Sequence, residues 1–293
     1  MKQTLFTLIL ACMFPMVFTS CNSTKGNALP KKEMAIQLYS MRDTLNRCGT
    51  NYMPVLEQLA SWGYTAVEAA NYNNGLFYGT TPEEFKANVE KAGMKVLSSH
   101  VGHNLNGEET ANHDFTAALE WWKKCVADHK AAGMKYIVNP GMGVPATLVD
   151  LQTQCEFLNE VGKLCAAEGI KFGYHSHSHE FRRVEGKVMY DYMLENTDPQ
   201  YVFFQMDVYW AVVGGVAPVE YFKKYPGRFT LLHIKDLCTL GESGMVGFDA
   251  IFNNADVAGM KEYVVEVECD PYPSVEESAV YLRKAPFVKA SYK

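Results

Sequence analysis

A short unit recurs along this chain and limits its fold more than any other feature. It reads Trp62-Gly63-Tyr64, Ala92-Gly93-Met94-Lys95, Ala132-Gly133-Met134-Lys135, Glu168-Gly169-Ile170-Lys171 and Ala258-Gly259-Met260-Lys261. Each copy follows a helical-looking stretch and precedes a β-rich run. A glycine in that place is the residue just past a helix end, where the backbone turns left-handed and a side chain would be strained. The first four glycines are 30, 40 and 36 residues apart, the length of one strand-helix unit each. The pattern predicts eight strands, at 34–39, 65–69, 95–100, 135–139, 171–177, 202–207, 229–235 and 263–268, with helices between them.

Local signals agree. Thr81-Pro82-Glu83-Glu84 reads as a helix start: a capping hydroxyl, a proline at the first helical position and a carboxylate reaching back. His113–Ala132 and Thr147–Glu168 are long enough to cross back over a sheet. Alternation in this number and length predicts an α/β fold, a (β/α)8 TIM barrel. A doubly wound sheet would carry a glycine-rich phosphate loop after its first strand, where this chain has Tyr39-Ser40-Met41-Arg42-Asp43. No Pro- or Gly-rich linker interrupts residues 33–293, which read as one domain.

The first residues read as a processed leader. Lys2 precedes an apolar run, Leu5–Phe18, of signal-peptide length. Phe18-Thr19-Ser20-Cys21 has the small residues before a cysteine that mark a lipoprotein. The expectation is a signal peptide at 1–20, lipidation of Cys21 and a polar tether at 21–32. It places the protein in the cell envelope, touching membrane only through its lipid. The competing reading is an ordinary cleaved leader with a chance cysteine. The net charge is −6 and no basic run exists, which argues against nucleic acid and against a many-point grip on phosphates. Apart from Cys12 and Cys21, six cysteines (Cys48, Cys125, Cys155, Cys165, Cys238 and Cys269) lack any C-x-x-C pair, which argues against a thiolate zinc site. Export permits disulfides. Cys125, Cys155 and Cys165 read as helix residues, so buried free thiols are expected.

Catalytic groups in such barrels sit at the C-terminal strand ends. Those ends carry Gln37 and Tyr39, Glu68, His100, Asn139, His175 and His177, Asp207, His233 and Lys235, and Glu266 and Glu268. Strand five is the densest, Lys-Phe-Gly-Tyr-His-Ser-His-Ser-His-Glu-Phe over 171–181, and alternation puts His175, His177 and His179 on one face. His175, Asp207, His233 and Glu268 follow one another at 32, 26 and 35 residues, the spacing of successive units. Two imidazoles and two carboxylates make a mixed N/O set suited to Mn, Co, Zn or Fe rather than Ca. Each has a plainer reading singly: a strand-end Asp often caps the next helix.

Residues 33–293 resemble the xylose isomerase-like TIM-barrel superfamily of sugar phosphate isomerases and epimerases. The matching residues are Gly63-Tyr64-Thr65-Ala66-Val67-Glu68, Gly173-Tyr174-His175-Ser176-His177 with Glu180-Phe181, Met206-Asp207, His233-Ile234-Lys235-Asp236 and Val267-Glu268-Cys269-Asp270. The resemblance implies one divalent metal held from strands five to eight, its ligands falling on His175, Asp207, His233 and Glu268. The superfamily's usual strand-five ligand is glutamate. Its replacement by His175 removes one of the epimerases' two proton-transfer carboxylates unless Glu180 reaches in. Tyr-His-x-His at this place is similar to a branch with inosose dehydratase-like proteins and 3-keto-glycoside lyases.

The implied chemistry is proton abstraction next to a sugar carbonyl, with Glu268 or His177 as base. Return of the proton elsewhere gives isomerisation or epimerisation, the leading expectation because it is the superfamily's prevailing chemistry. Loss of a β-oxygen, assisted by His100, Lys235 or His177, gives elimination, the alternative: a keto-sugar or 3-keto-glycoside lyase or hydratase using the same metal site. Gln37, Tyr39, Glu68, Asn139, Glu266 and Trp210 are expected to contact the carbohydrate, and Tyr72, Phe77, Tyr78 and Tyr209 are further stacking candidates. A non-catalytic carbohydrate-binding lipoprotein is the reading from another class. An endonuclease of the superfamily would need a basic DNA face, which this chain lacks. Asn71–Gly79 and Leu237–Phe248 read as aromatic or glycine-rich loops over the mouth, either closing parts or plain connectors.

Overall fold

The computed structural model describes residues 29–269 and 271–292. The expected leader, Cys21 and most of the tether lie outside the described residues. The barrel strands are β1 (Ala35–Gln37), β2 (Ala66–Ala69), β3 (Lys95–His100), β4 (Tyr136–Asn139), β5 (Lys171–Ser176), β6 (Val202–Met206), β7 (Leu231–Lys235) and β8 (Glu262–Glu266). They form one sheet in the order β6-β5-β4-β3-β2-β1-β8-β7, every adjacent pair parallel. A parallel bridge between Asp207 and His233 joins the end strands β6 and β7 and closes the barrel. All eight expected strands are present.

The principal outer helices are α1 (Met53–Trp62), α2 (Pro82–Lys91), α3 (Thr116–Ala131), α4 (Leu148–Ala167), α5 (Met189–Asn196), α6 (Pro218–Lys224), α7 (Phe248–Asn253) and α8 (Pro271–Lys284). The expected start of α2 is realised in both directions: Glu84 N donates to Thr81 Oγ1 at 3.2 Å and Thr81 N to Glu84 Oε2 at 3.0 Å. Thr147 caps α4 through the Asp150 amide. The helix expected over His113–Ala132 begins three residues later, at Thr116, because His113 takes a left-handed turn (φ 52°) that ends a separate short helix at Gly107–Asn112.

Strand alternation sorts the side chains into two cores. The larger lies between sheet and helices. The smaller fills the barrel with Ala35, Ala66, Leu97, Tyr136, Val138, Phe203, Leu231 and Val264. Gly173 makes that filling possible: a Cβ there would sit 2.4 Å from the Phe203 ring, which packs on Tyr136 at 5.5 Å. The barrel is therefore plugged by apolar side chains, with a polar layer at each end. Its axis is a packed core, not a channel.

The repeated glycines are left-handed, as their position requires, with Gly93 at φ 86° and Gly259 at φ 79°. They differ in surroundings. A Cβ on Gly93 meets nothing within 4 Å, whereas one on Gly259 would come 2.7 Å from Gly227 Cα. Gly93→Ala should cost about 1–2 kcal/mol from backbone conformation alone. Gly259→Ala should cost clearly more, because backbone must move. Urea unfolding midpoints of the two variants test this, and equal losses would refute the role of the Gly227 contact.

Candidate active site at the C-terminal mouth

Above the apolar plug, seven strands point a polar side chain inward: Gln37, Glu68, His100, His175, Gln205, His233 and Glu266, all buried or nearly so. Glu68 is their hub. Its Oε2 accepts from Ser98 Oγ at 2.7 Å and Gln205 Nε2 at 2.9 Å; its Oε1 accepts from Gln37 Nε2 at 3.1 Å and His233 Nε2 at 2.7 Å. Burial alone would raise the Glu68 pKa, but His100 and His233 beside it outweigh that and hold it down at about 2.

The hydrogen bonds also set the imidazole tautomers. Gln37 Nε2 donates to His100 Nδ1 at 2.8 Å, so His100 carries its proton on Nε2 and donates it to Gln205 Oε1 at 2.6 Å. Gln205 Oε1 also accepts from His175 Nδ1 at 3.0 Å. Burial, with the neighbouring imidazoles, keeps His175 neutral, its pKa well below the usual value. Its Nε2 is left with a free lone pair. His233, with Nε2–H committed to Glu68, turns Nδ1 toward Glu266 Oε2 at 3.2 Å and Asp207 Oδ2 at 3.8 Å.

Asp207 does two things. Its Oδ1 accepts from Trp210 N at 2.9 Å and caps the short helix Val208–Val213, the plainer role noted for such a residue. Its Oδ2 is buried and has no hydrogen-bond partner. A buried carboxylate oxygen left unpaired is costly unless a cation meets it. Ligand atoms of Asp207, His233 and Glu266 lie within 4.8 Å of one another; His100, His175 and His233 form a second such group. The donor set, the orphaned oxygen and a histidine oriented through its far nitrogen by a carboxylate all fit a divalent transition metal.

Several expected residues sit elsewhere. Glu268 lies past the end of β8, more than a third exposed, and accepts from Lys235 Nζ at 2.7 Å. Glu266 takes the place beside His233 that motif spacing assigned to Glu268. The two share a strand face, but one period of two displaces a side chain by about 7 Å along the barrel. His100 has both ring nitrogens engaged within the layer, leaving neither for a departing oxygen. Gln37 and Glu68 hold imidazoles rather than facing the mouth. Glu180 does not reach in: its Oε1 accepts from Tyr174 OH and its Oε2 from His177 N, each at 2.8 Å, so it anchors the turn after β5. His179, on that turn, donates Nε2–H to Met142 O. Asn139 likewise ties loops together, through Asn104 and Gly141.

The rim is formed by His177, Trp210, Tyr209, Lys235, Glu268 and Tyr39. His177 lies 4.7 Å from the His175 ring and 6.0 Å from that of Trp210, its Nδ1 buried without a partner; burial, then His179, lowers its pKa to about 4. Lys235 is buried, its Nζ 3.9 Å from Glu266 and 5.9 Å from each of the Tyr209 and Trp210 rings. Exposed Tyr39 stacks under Arg42, whose Nη2 donates to Glu268 O.

Both expected lids are pinned. Asn71–Gly79 is a small hairpin with Phe77 buried and Tyr72 OH donating to Asp128 on α3 at 2.6 Å. After β7, Asp236 accepts from Leu237 N, Gly241 N and Ser243 Oγ. Cys238 and Cys269 form a disulfide that joins the loops after β7 and β8, so those two are not free thiols. Cys125, Cys155 and Cys165 are buried and free, as expected. Gln205 and Ser98 were not singled out from the sequence. For Gln205 the signal existed, since it lies two residues before Asp207 on the same strand face.

Comparison with known proteins agrees with this architecture. A sugar phosphate isomerase/epimerase from Parabacteroides distasonis ATCC 8503 superposes with a TM-score of 0.81 at 36% identity, over 90% of this chain and 97% of that one. The inosose dehydratase of Geobacillus kaustophilus is 24% identical over 215 residues, 67% of this chain and 66% of the enzyme, so the match falls just short of two thirds of its length. IolI protein with a bound zinc atom shares the fold alone, with a TM-score of 0.61 at 14% identity over 89% of this chain and 99% of its own. Residues 56–285 match the family model of the xylose isomerase-like TIM barrel, and the chain belongs to that family.

Proposed function

We propose that the protein is a divalent-metal-dependent enzyme acting on a keto-sugar or keto-glycoside, and that it is a carbon–oxygen lyase. The carrying observation is the strand-five position. His175 stands where an exchanging carboxylate would be needed for epimerisation, and Glu180 is turned outward onto Tyr174. The inosose dehydratase relative favours the same reading. Isomerisation or epimerisation is the second reading, favoured by the 36%-identical isomerase/epimerase.

Asp207, His233 and Glu266 would hold the metal, with His175 Nε2 available beside them. A bound divalent ion would supply a Lewis acid for the sugar's carbonyl and an adjacent hydroxyl. The His177 imidazole takes the proton from the carbon next to that carbonyl. The electron pair forms the carbon–carbon double bond as the β carbon–oxygen bond breaks. Lys235, paired with Glu268 at 2.7 Å, donates a proton to the departing oxygen. Trp210 and Tyr209 offer faces for the ring, and the Cys238–Cys269 bridge fixes the loops that carry Lys235 and Glu268 to the rim. We also propose that Cys21 carries a lipid in the cell envelope; the leader pattern supports this, and a disulfide suits an oxidising compartment.

NMR of the metal-loaded protein with 3-keto-glycosides in D2O should show deuterium entering next to the carbonyl, then a released aglycone and an unsaturated sugar. An epimer or moved carbonyl would select the second reading, and no exchange with any sugar would leave a binding protein. Asp207→Ala and Glu266→Ala should each lose retained metal by elemental analysis, whereas Glu268→Ala should keep it. Undiminished metal in Glu266→Ala would overturn the assigned ligand set. His177→Ala should lower kcat by about 10²–10⁴ with metal content unchanged. Cys238→Ser/Cys269→Ser should retain metal but raise KM, as the rim loses its tie; an unchanged KM would remove the bridge from the site.

A further inference from the structure

We propose that the opposite, N-terminal mouth of the barrel binds a small phosphate-bearing anion. The repeated unit ends in lysine at Lys95, Lys135, Lys171 and Lys261, and in the fold each of these stands at or just before the entry to a barrel strand. All four line one cavity of about 800 Å³ at that mouth, whose inner wall includes Ala35, Ala66 and Leu97 of the apolar plug. That volume is in the range of small-molecule sites.

The charge there runs against the rest of the molecule. Four lysines face two glutamates, Glu33 and Glu262, in a chain of net charge −6. Lys135 Nζ is tied to Glu262 Oε2 at 2.7 Å, and Tyr136 OH donates to the same oxygen. Among the described residues, Lys95, Lys171 and Lys261 make no ion pair, so three ammonium groups remain around the opening. Outside the Lys135–Glu262 pair, these three ammoniums match the several oxygens of a tetrahedral oxyanion. The apolar plug separates this site from the metal-ligating layer, so the anion is not the substrate.

Calorimetric titration of the full chain with inorganic phosphate in chloride buffer tests the proposal. Saturable binding of one phosphate is expected. Lys95→Ala/Lys171→Ala/Lys261→Ala should weaken it at least about tenfold, since each exposed ion contact contributes up to about fivefold. These side chains are exposed, so folding and retained metal should be unaltered. Asp207→Ala should leave it intact, which separates this site from the opposite mouth. No saturable binding, binding that survives the triple substitution, or binding lost in Asp207→Ala would overturn the proposal.

Discussion

The ionised carboxylate of Glu68, sealed inside the barrel, organises the whole C-terminal layer. Such a charge costs several kcal/mol to bury unless its oxygens are satisfied. Here four donors converge on it from four other strands: Gln37, Ser98, Gln205 and His233. Each donor is thereby fixed in turn. Gln37 orients His100, Gln205 orients both His100 and His175, and His233 is held so that its other nitrogen faces Asp207 and Glu266. A residue expected to meet substrate thus instead decides how His100, His175 and His233 are presented. Removing it would leave several buried partners unsatisfied at once.

The same alternation that builds this layer builds its counterpart. On β8 the inward residues are Glu262, Val264 and Glu266. One strand therefore reads acid, apolar, acid along the barrel axis, serving the lysine-lined mouth, the plug and the C-terminal polar layer in turn. The lysines that rim the lower mouth are invisible as a charge run, because they are spaced one βα unit apart. Only closure of the barrel gathers them. Sequence composition alone, with its net acidity, argues for the opposite of what the fold assembles locally.

Periodic features were legible in the sequence and single-residue features were not. Glycine-ended helices and β-rich runs set all eight strands, because backbone conformation at Gly63, Gly93, Gly133, Gly169 and Gly259 is a local matter. His175, Asp207 and His233 are brought to one barrel mouth because barrel register repeats at the unit length. Glu266, not Glu268, stands beside His233 because strand eight ends two residues earlier than its β-rich run suggests, and both lie on one face. Gln205 was passed over because amide side chains carry no charge to flag them. The Cys238–Cys269 pair depends on two loops meeting across adjacent strands, which nothing within either loop announces.

The strand-five histidine shapes the proposed chemistry through what it cannot do. A glutamate there would bind metal and exchange a proton with substrate, since a carboxylate keeps a second oxygen free. An imidazole has only two nitrogens. With Nδ1–H spent on Gln205, His175 has only Nε2 left, and ligating a metal would use it completely. Proton transfer must then pass to a neighbour that is held close but not consumed. His177 meets that condition: its ring is 4.7 Å from that of His175. The second proton-handling group on the rim is Lys235, a cation, not a second carboxylate. A base facing an ammonium acid suits removal of a proton here and delivery of one to a departing oxygen there. It suits less well the exchange of one proton between two like groups across a single carbon, and that asymmetry is what favours elimination.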